Sequence, residues 1–151
     1  MQDIKVLFET IEQLFRSCDI DYQALQQEKI TKEWFEVYEN QRIVNSFLFN
    51  YIKIQDKIGA KLFRSFLYSL REIVEDNMSM IDMLHRLEQL EIIESIDEWD
   101  QLREIRNVIA HEYPLDIEER LENIHLALGG FKKLHALFAA IKKQTLSKGI
   151  G

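Results

Sequence analysis

An arginine, an asparagine, a histidine and a tyrosine end an otherwise apolar helical run, in the stretch REIRNVIAHEYP. They are Arg106, Asn107, His111 and Tyr113, and the only proline of the chain, Pro114, follows directly. Histidine has an unperturbed pKa of about 6.5, so it can take up and return a proton near neutral pH. Arginine stays charged, and its planar fork matches two oxygens of a phosphate. The set points to acid–base chemistry on a phosphate ester.

Cleavage of RNA without a metal is one reaction that such residues can serve. It requires a base for the 2′-hydroxyl proton, an acid for the departing 5′ oxygen and positive charge for the phosphate in the transition state. On an ideal helix, residues five apart diverge by about 140°, so Arg106 and His111 would not face the same point. Either the helix distorts as it ends before Pro114, or two protomers bring their motifs together across a two-fold axis.

The composition predicts that helices position these residues. The 151 residues include one proline and five glycines, with 46% hydrophobic and 30% charged residues. Such a chain is poor in the turn residues that β folds need. Apolar residues recur at helical spacing in several long segments. We therefore expect an all-α fold, an antiparallel up-and-down bundle of four to five long helices, in one domain over residues 1–151.

Capping residues predict where several helices begin. Asp3, Ser79 and Ser95 each precede a helical run and can accept a hydrogen bond from its first turn. Glu98 stands three residues after Ser95, which is the spacing of a capping box. The sequence thus predicts helices that start directly after these three positions.

Other helix boundaries follow from periodicity and from the proline. Residues 19–30 have a weak period and form either a short helix or a connection, and a new helical run begins at Thr31. Because a proline disfavours helical geometry in the residue before it, the motif helix should end near Tyr113. The last helix should start at Leu115 or Asp116.

The longest apolar segment carries one broad arc that should face the core. Its members are Leu48, Phe49, Ile52, Leu62, Phe63, Phe66, Leu67 and Leu70. Gln55 and Gly59 lie inside this arc, which predicts that a neighbouring element approaches the backbone closely there. In the last helix, Gly129 and Gly130 predict a kink or a tight helix crossing.

A basic stripe follows another face of the same segment. Lys53, Lys57, Lys61, Arg64 and Arg71 fall within roughly 80° of one another on a helical wheel. The first four are candidate phosphate-binding residues. A solvated charged face is the alternative interpretation.

Charge limits how the protein could bind nucleic acid. The formal net charge of −7 argues against a broad electrostatic contact with phosphates, because surfaces that bind nucleic acid are usually basic. Any contact with RNA must therefore be local.

Cysteine and histidine usage gives no indication of a cofactor. Cys18 is the only cysteine, which excludes an internal disulfide and agrees with a reducing compartment. His85, His125 and His135 lack the spacing of zinc ligands, so we expect no metal site. No apolar run of about 18 residues and no signal peptide is evident. These features predict a cytoplasmic protein without a membrane contact.

The stretch RNVIAHEY, in this helical setting, resembles the signature of the HEPN family (higher eukaryotes and prokaryotes nucleotide-binding). Its extended form is similar to the HepT toxins encoded beside minimal nucleotidyltransferase antitoxins. The similarity in motif covers residues 106–113. The resemblance implies a metal-independent endoribonuclease with no cofactor and a composite site in the cleft of a homodimer.

The resemblance also implies roles for single residues. Arg106 and His111 would be catalytic, with two histidines sharing the acid and base roles, and Asn107 would orient the site. Tyr113 would be the residue to which the partner nucleotidyltransferase attaches AMP. The added charge and bulk would repel the RNA.

Two other classes of function remain compatible with the sequence. HEPN-like bundles also serve as non-catalytic nucleotide- or substrate-binding companions of nucleotidyltransferases. A purely structural dimerisation bundle would need the same apolar periods, because arginine and histidine near a helix end are commonly surface residues.

Overall fold

The computed structural model of the protein describes residues 3–73, 77–111 and 116–149. This part of the chain forms seven α-helices and one π-helical segment and contains no strand, which confirms the predicted all-α fold. The elements are α1 (Ile4–Gln26), α2 (Lys32–Phe35), α3 (Tyr38–Lys57), the π-helical segment (Ile58–Leu62), α4 (Phe63–Ser69), α5 (Met80–Gln89), α6 (Ile96–Ala110) and α7 (Ile117–Ser147).

Helices α1, α3, α6 and α7 pack as a bundle in which chain neighbours run antiparallel. The Cys18 thiol in the second half of α1 lies 3.6 Å from the carbonyl oxygen of Phe47 in the first half of α3. The rings of Trp99 at the start of α6 and Phe63 just beyond the π-helical segment lie 4.7 Å apart. The second half of α1 thus meets the first half of α3, and the start of α6 meets the residues that follow α3. The three helices therefore alternate in direction.

An aromatic core attaches α7 to α1 and α3. The Phe131 ring lies 4.6 Å from the Tyr22 ring and 5.7 Å from the Phe47 ring. Towards the other end of the bundle, Phe138 packs edge-on against Phe8 at 5.8 Å. Since the start of α1 meets the second half of α7, these two helices are antiparallel. The four long helices therefore follow the expected up-and-down order.

Two glycines allow helices to cross closely, as the sequence predicts. A Cβ atom at Gly59 would lie 2.7 Å from the indole of Trp99, so α6 approaches the π-helical segment at this point. A Cβ atom at Gly130 would overlap the hydroxyl of Tyr51, which joins α7 to α3. Gly129 has open space instead. The expected tight crossing is confirmed at Gly130, and α7 continues through it.

The predicted N-caps are confirmed at three helices. The Asp3 carboxylate accepts a hydrogen bond from the backbone N–H of Lys5 at 2.9 Å. The Ser79 and Ser95 hydroxyls accept from backbone N–H groups at 3.2 and 3.3 Å, each three residues further on. These caps satisfy donors that the first helical turn leaves unpaired.

Several boundaries differ from the expectation. Residues 19–26 continue α1, so the first helix is longer than predicted. The run from Thr31 is divided, because the side-chain amides of Asn40 and Gln41 hydrogen-bond the carbonyls of Trp34 and Phe35 and end α2 there. Helix α6 ends at residue 110, before the predicted end at residue 113, which lies outside the described residues.

One expected core residue is on the surface. Phe49 is 61% exposed, so its assignment to the apolar arc is wrong. The buried side of α3 instead runs through Val44, Phe47, Tyr51 and Ile54. The Lys53 ammonium covers the Phe49 ring at 4.4 Å.

Buried polar groups occupy the core beside these contacts. Burial raises the pKa of the Cys18 thiol to about 12, so the thiol stays protonated at neutral pH. Gln55 is buried as predicted, within the closely packed face of α3. Cys18 is therefore a packing residue rather than a nucleophile.

Helix α7 is long and apolar enough to span a membrane by length and composition alone. Half of its most apolar window is buried inside the bundle, which is also usual for a core helix. A cytoplasmic location stays a prediction.

Candidate active site

The motif residues lie at the C-terminal end of α6. Arg106 and Asn107 belong to its last turns, and the Asn107 side chain is exposed. His111 is the first residue after the helix, with an extended backbone (φ −76°, ψ 168°), and is also exposed. Tyr113 lies outside the described residues. The helix thus ends between the arginine and the histidine, but this end does not turn the two side chains to the same point.

A bidentate ion pair holds Arg106. Its Nε and one Nη donate hydrogen bonds to the two carboxylate oxygens of Asp56 in α3, at 2.9 and 2.8 Å. The two side chains are 30% and 49% exposed, so the pair lies at the surface. Hydrogen bonding to Asp56 raises the pKa of the Arg106 guanidinium above its usual value, so the positive charge is permanent. The bonds use two of five N–H donors of the guanidinium.

Two lysines of the predicted basic stripe lie beside this pair. Lys53 and Lys57 line a surface hollow of about 520 Å³ together with Asp56 and residues of α1. We call Arg106, Asp56, Lys53 and Lys57 the Arg106 side. Asp56 links the two lysines to Arg106, so this part of an acidic protein carries three cations and one carboxylate.

The rest of the basic stripe does not share this arrangement. Arg64 donates a hydrogen bond to the carbonyl oxygen of Met78 at 2.9 Å, so it is directed towards the segment before α5. Lys61 is exposed within the π-helical segment. Of the four candidate phosphate-binding residues, the structure places Lys53 and Lys57 in a hollow with Asp56, the ion-pair partner of Arg106, and gives Arg64 a structural contact.

His111 lies in different surroundings. It lines a small niche with Arg120 and Asn123, both from the beginning of α7. The apolar walls of the niche are Val44, Leu48, Val108, Ile109 and Ile124. We call these eight residues the His111 niche. Its volume is about 30 Å³, and none of the described residues that line it carries a carboxylate.

Aromatic stacking holds Arg120 in place. The centre of its guanidinium lies 4.5 Å from the centroid of the Phe35 ring in α2. Such stacking engages the face of the guanidinium and limits the orientations that its plane can take. The role of Arg120 beside His111 was not predicted from the sequence. The only indication in the sequence is that Arg120 and Asn123 are three residues apart, which puts the two residues on one face of a helix.

The structure gives Arg106 and His111 separate neighbours. Arg106 is directed to α3, whereas His111 contributes to a niche formed with α7. Asp56, which was not a predicted site residue, is the neighbour that fixes Arg106. Nothing in the sequence pairs Asp56 with an arginine fifty positions later.

A larger hollow lies elsewhere on the molecule. It measures about 760 Å³ and lies between α1 and α7, where Phe15 and Phe138 form an apolar base and the ion pair of Glu12 and Lys142 crosses the rim. His135 belongs to this hollow and packs against Phe15 with ring centroids 5.1 Å apart. That contact supports a packing role for His135. Arg106, Asn107 and His111, the motif residues that the structure describes, do not border this hollow, so its size is no guide to the candidate site.

Within residues 3–73, 77–111 and 116–149, no group of three histidine, cysteine or carboxylate side chains is close enough to hold a metal ion.

Comparisons with known proteins identify no relative. No family model, curated protein or solved structure matches the chain significantly. The resemblance to the HEPN signature therefore depends on residues 106–113 alone and stays a prediction.

Proposed function

We propose that this chain is a metal-independent endoribonuclease, the toxin of a toxin–antitoxin pair. The observation that carries the proposal is the exposed end of α6, where Arg106 is oriented by Asp56 and His111 follows the last helical residue. Lys53 and Lys57, which share a hollow with the Arg106 partner Asp56, add the local positive charge that an acidic protein needs for RNA.

The chemistry assigned to these residues is general acid–base catalysis. One imidazole takes the proton of the RNA 2′-hydroxyl, the oxygen attacks the adjacent phosphorus, and the bond to the 5′ oxygen breaks. A second, protonated imidazole gives its proton to the departing oxygen, leaving a 2′,3′-cyclic phosphate and a 5′-hydroxyl. The permanent charge of Arg106 stabilises the phosphate in the transition state, and Asn107 orients this phosphate in the site.

A homodimer supplies the second imidazole in this proposal. Phe49 supports it, since a large apolar side chain is 61% exposed seven residues before Asp56, on the same face of α3. Burial of such a side chain between two copies would favour association and bring the two Arg106 sides together.

Control by a partner nucleotidyltransferase completes the proposal. The partner would transfer AMP from ATP to the hydroxyl of Tyr113 and release pyrophosphate. Since Tyr113 follows His111 by two positions, the modification would put negative charge next to the RNA site and repel the substrate.

RNA cleavage by the purified protein tests the proposal. In excess EDTA, the wild type should cut single-stranded RNA, and His111→Ala and Arg106→Ala should not. Arg103→Ala is the matched control, since Arg103 is an exposed arginine of the same helix and pairs with Asp100 at 3.2 Å. Intact RNA with the wild type, or equal cleavage by all four proteins, would contradict the nuclease. Nucleotide affinity without turnover would instead favour a binding companion.

Sedimentation tests the dimer. Phe49→Glu should shift the protein towards monomer and reduce cleavage, because the charge would have to be buried at the interface. Ile20→Glu is the control, since Ile20 is 73% exposed on α1. A monomeric wild type, or a dimer that Phe49→Glu leaves intact, would contradict this interface.

Mass spectrometry tests the modification. Incubation with a nucleotidyltransferase encoded by a neighbouring gene and with ATP should add the mass of AMP to the wild type. Tyr113→Phe should stay unmodified. An unchanged mass of the wild type would remove this part of the proposal.

A further inference from the structure

The His111 niche combines three side chains that suit a phosphate. An imidazole, a guanidinium and a carboxamide, from His111, Arg120 and Asn123, line one hollow. All three can donate hydrogen bonds to an anionic oxygen.

The size of the niche limits what could enter it. A volume of about 30 Å³ leaves room for about two oxygen-sized groups, far less than a nucleobase or a sugar needs. The apolar walls lower the local dielectric constant, which strengthens hydrogen bonds to a charged oxygen. A phosphate oxygen fits these limits, with the remainder of the nucleotide outside the niche.

The elements that carry the three side chains are positioned by the fold. Arg120 is stacked on Phe35, and Arg120 and Asn123 lie one turn apart near the start of α7. His111 is positioned by the end of α6, whose residues Val108 and Ile109 form walls of the same niche. A ligand would therefore meet a site whose arginine is already oriented, which reduces the entropy lost on binding.

We propose that His111, Arg120 and Asn123 form a phosphate-binding subsite within one chain, which holds a phosphate of single-stranded RNA. The imidazole of His111 thus has a guanidinium from its own chain, and Arg106 approaches the RNA from the neighbouring side. The part of the subsite in cleavage rests on the proposed function, whereas phosphate binding does not.

Binding of an RNA analogue that cannot be cut tests the subsite without any cleavage. The probe is a fluorescein-labelled 2′-O-methyl oligonucleotide, titrated with the wild type and variants. Arg120→Gln should weaken binding about tenfold, the effect of losing charge-assisted hydrogen bonds. Asn123→Ala should weaken it less, and Arg120→Lys should restore part of the affinity. Arg103→Gln is the control for the loss of one positive charge from an exposed surface.

Inorganic phosphate provides a second readout. The ring-proton NMR signals of His111 should shift on addition of phosphate to the wild type, and the shift should be lost in Arg120→Gln. Unfolding curves of each variant show whether the shift is lost because phosphate no longer binds or because the stack of Arg120 on Phe35 stabilises the fold. If Arg120→Gln loses stability but binds the probe and phosphate as well as Arg103→Gln does, the subsite is wrong. Should Arg120→Gln fail to fold, Asn123→Ala and the wild-type phosphate titration decide alone.

The two proposals fail in distinguishable ways. Probe binding that depends on Arg120, without cleavage of ordinary RNA, would keep the subsite and remove the nuclease. Cleavage that depends on His111 but not on Arg120, with unchanged probe binding, would keep the nuclease and remove the subsite.

Discussion

Arg106 and His111 are five residues apart in sequence, but the Arg106 side and the His111 niche have no residue in common. Arg106 is bound by a carboxylate from α3 at the surface, among lysines. His111 lines a small hollow with an arginine and an asparagine from α7, between apolar walls. One motif therefore supplies two environments, because the helix ends between its two chemically active residues.

The comparison shows that each motif residue depends on side chains that lie outside the motif. The ion pair with Asp56 occupies two N–H donors of Arg106 and fixes the orientation of its guanidinium. The histidine gains companions that only the following helix can supply. We therefore expect changes at Arg106 and His111 to affect turnover, and changes at Arg120 and Asn123, the companions of His111, to affect binding.

Replacement of Arg106 should have the largest effect on turnover. In Arg106→Lys the bidentate bonds to Asp56 and the planar fork are lost, so kcat for RNA cleavage should fall about 100-fold or more. Single-turnover cleavage assays measure this change. Arg103→Lys should stay within about twofold of the wild type, and a similar loss in both variants would contradict a special role for Arg106.

Close helix crossings should affect both regions through stability. Gly59→Ala forces the indole of Trp99 away from the π-helical segment, and Gly130→Ala displaces Tyr51. Each should lower the free energy of unfolding by about 1 to 3 kcal/mol, as overpacking does. Urea unfolding followed by circular dichroism checks the values.

Gly129→Ala is the matched control for these two variants. A Cβ atom there meets nothing within 4 Å, and the position is inside α7. The change should raise the free energy of unfolding by about 0.5 to 1 kcal/mol, because alanine loses less conformational entropy in a helix. Equal effects at all three glycines would contradict the described packing.

Removal of the Asp56 charge sharpens the comparison. Asp56→Asn weakens the orientation of Arg106 and makes the Arg106 side more positive, so kcat should fall about tenfold while RNA affinity stays equal or rises. Steady-state kinetics and the 2′-O-methyl probe measure the two quantities. Asp100→Asn, at the exposed pair with Arg103, should change neither. A parallel loss of kcat and affinity would indicate mere structural damage.

The smallest expected effect concerns the lysines. Lys53→Gln combined with Lys57→Gln should reduce the slope of log affinity against log salt by about 1.4, since each phosphate contact in a single strand contributes about 0.7. Titrations with the 2′-O-methyl probe at several salt concentrations give the slope. Lys132→Gln combined with Lys133→Gln, two exposed lysines of α7, should leave it unchanged.

Local sequence signals predicted much of the fold. The caps at Asp3, Ser79 and Ser95 use hydrogen bonds within a few residues, so their patterns are visible in the chain. Gly59 and Gly130 interrupted otherwise apolar faces, and such a gap is most simply filled by a partner side chain. These features depend on residues close in sequence or on one face of one helix.

Less of the candidate site could be predicted from the sequence. The chemistry of Arg106 and His111 is visible in the sequence, but Asp56 and Arg120 join them only through the packing of α3 and α7. Phe49 was expected in the core because apolar character alone does not distinguish a buried residue from an exposed one. Contacts between distant segments have no local pattern from which they could be read.

The π-helical segment at Ile58–Leu62 has a consequence for the whole basic stripe. In an uninterrupted α-helix, Lys57 and Arg64 would differ by only about 20° around the axis. A wider turn holds about one more residue and rotates everything after it by roughly 100°. The bulge thus acts as a phase shift that leaves Lys53 and Lys57 beside Asp56 and carries Arg64 round to the carbonyl of Met78.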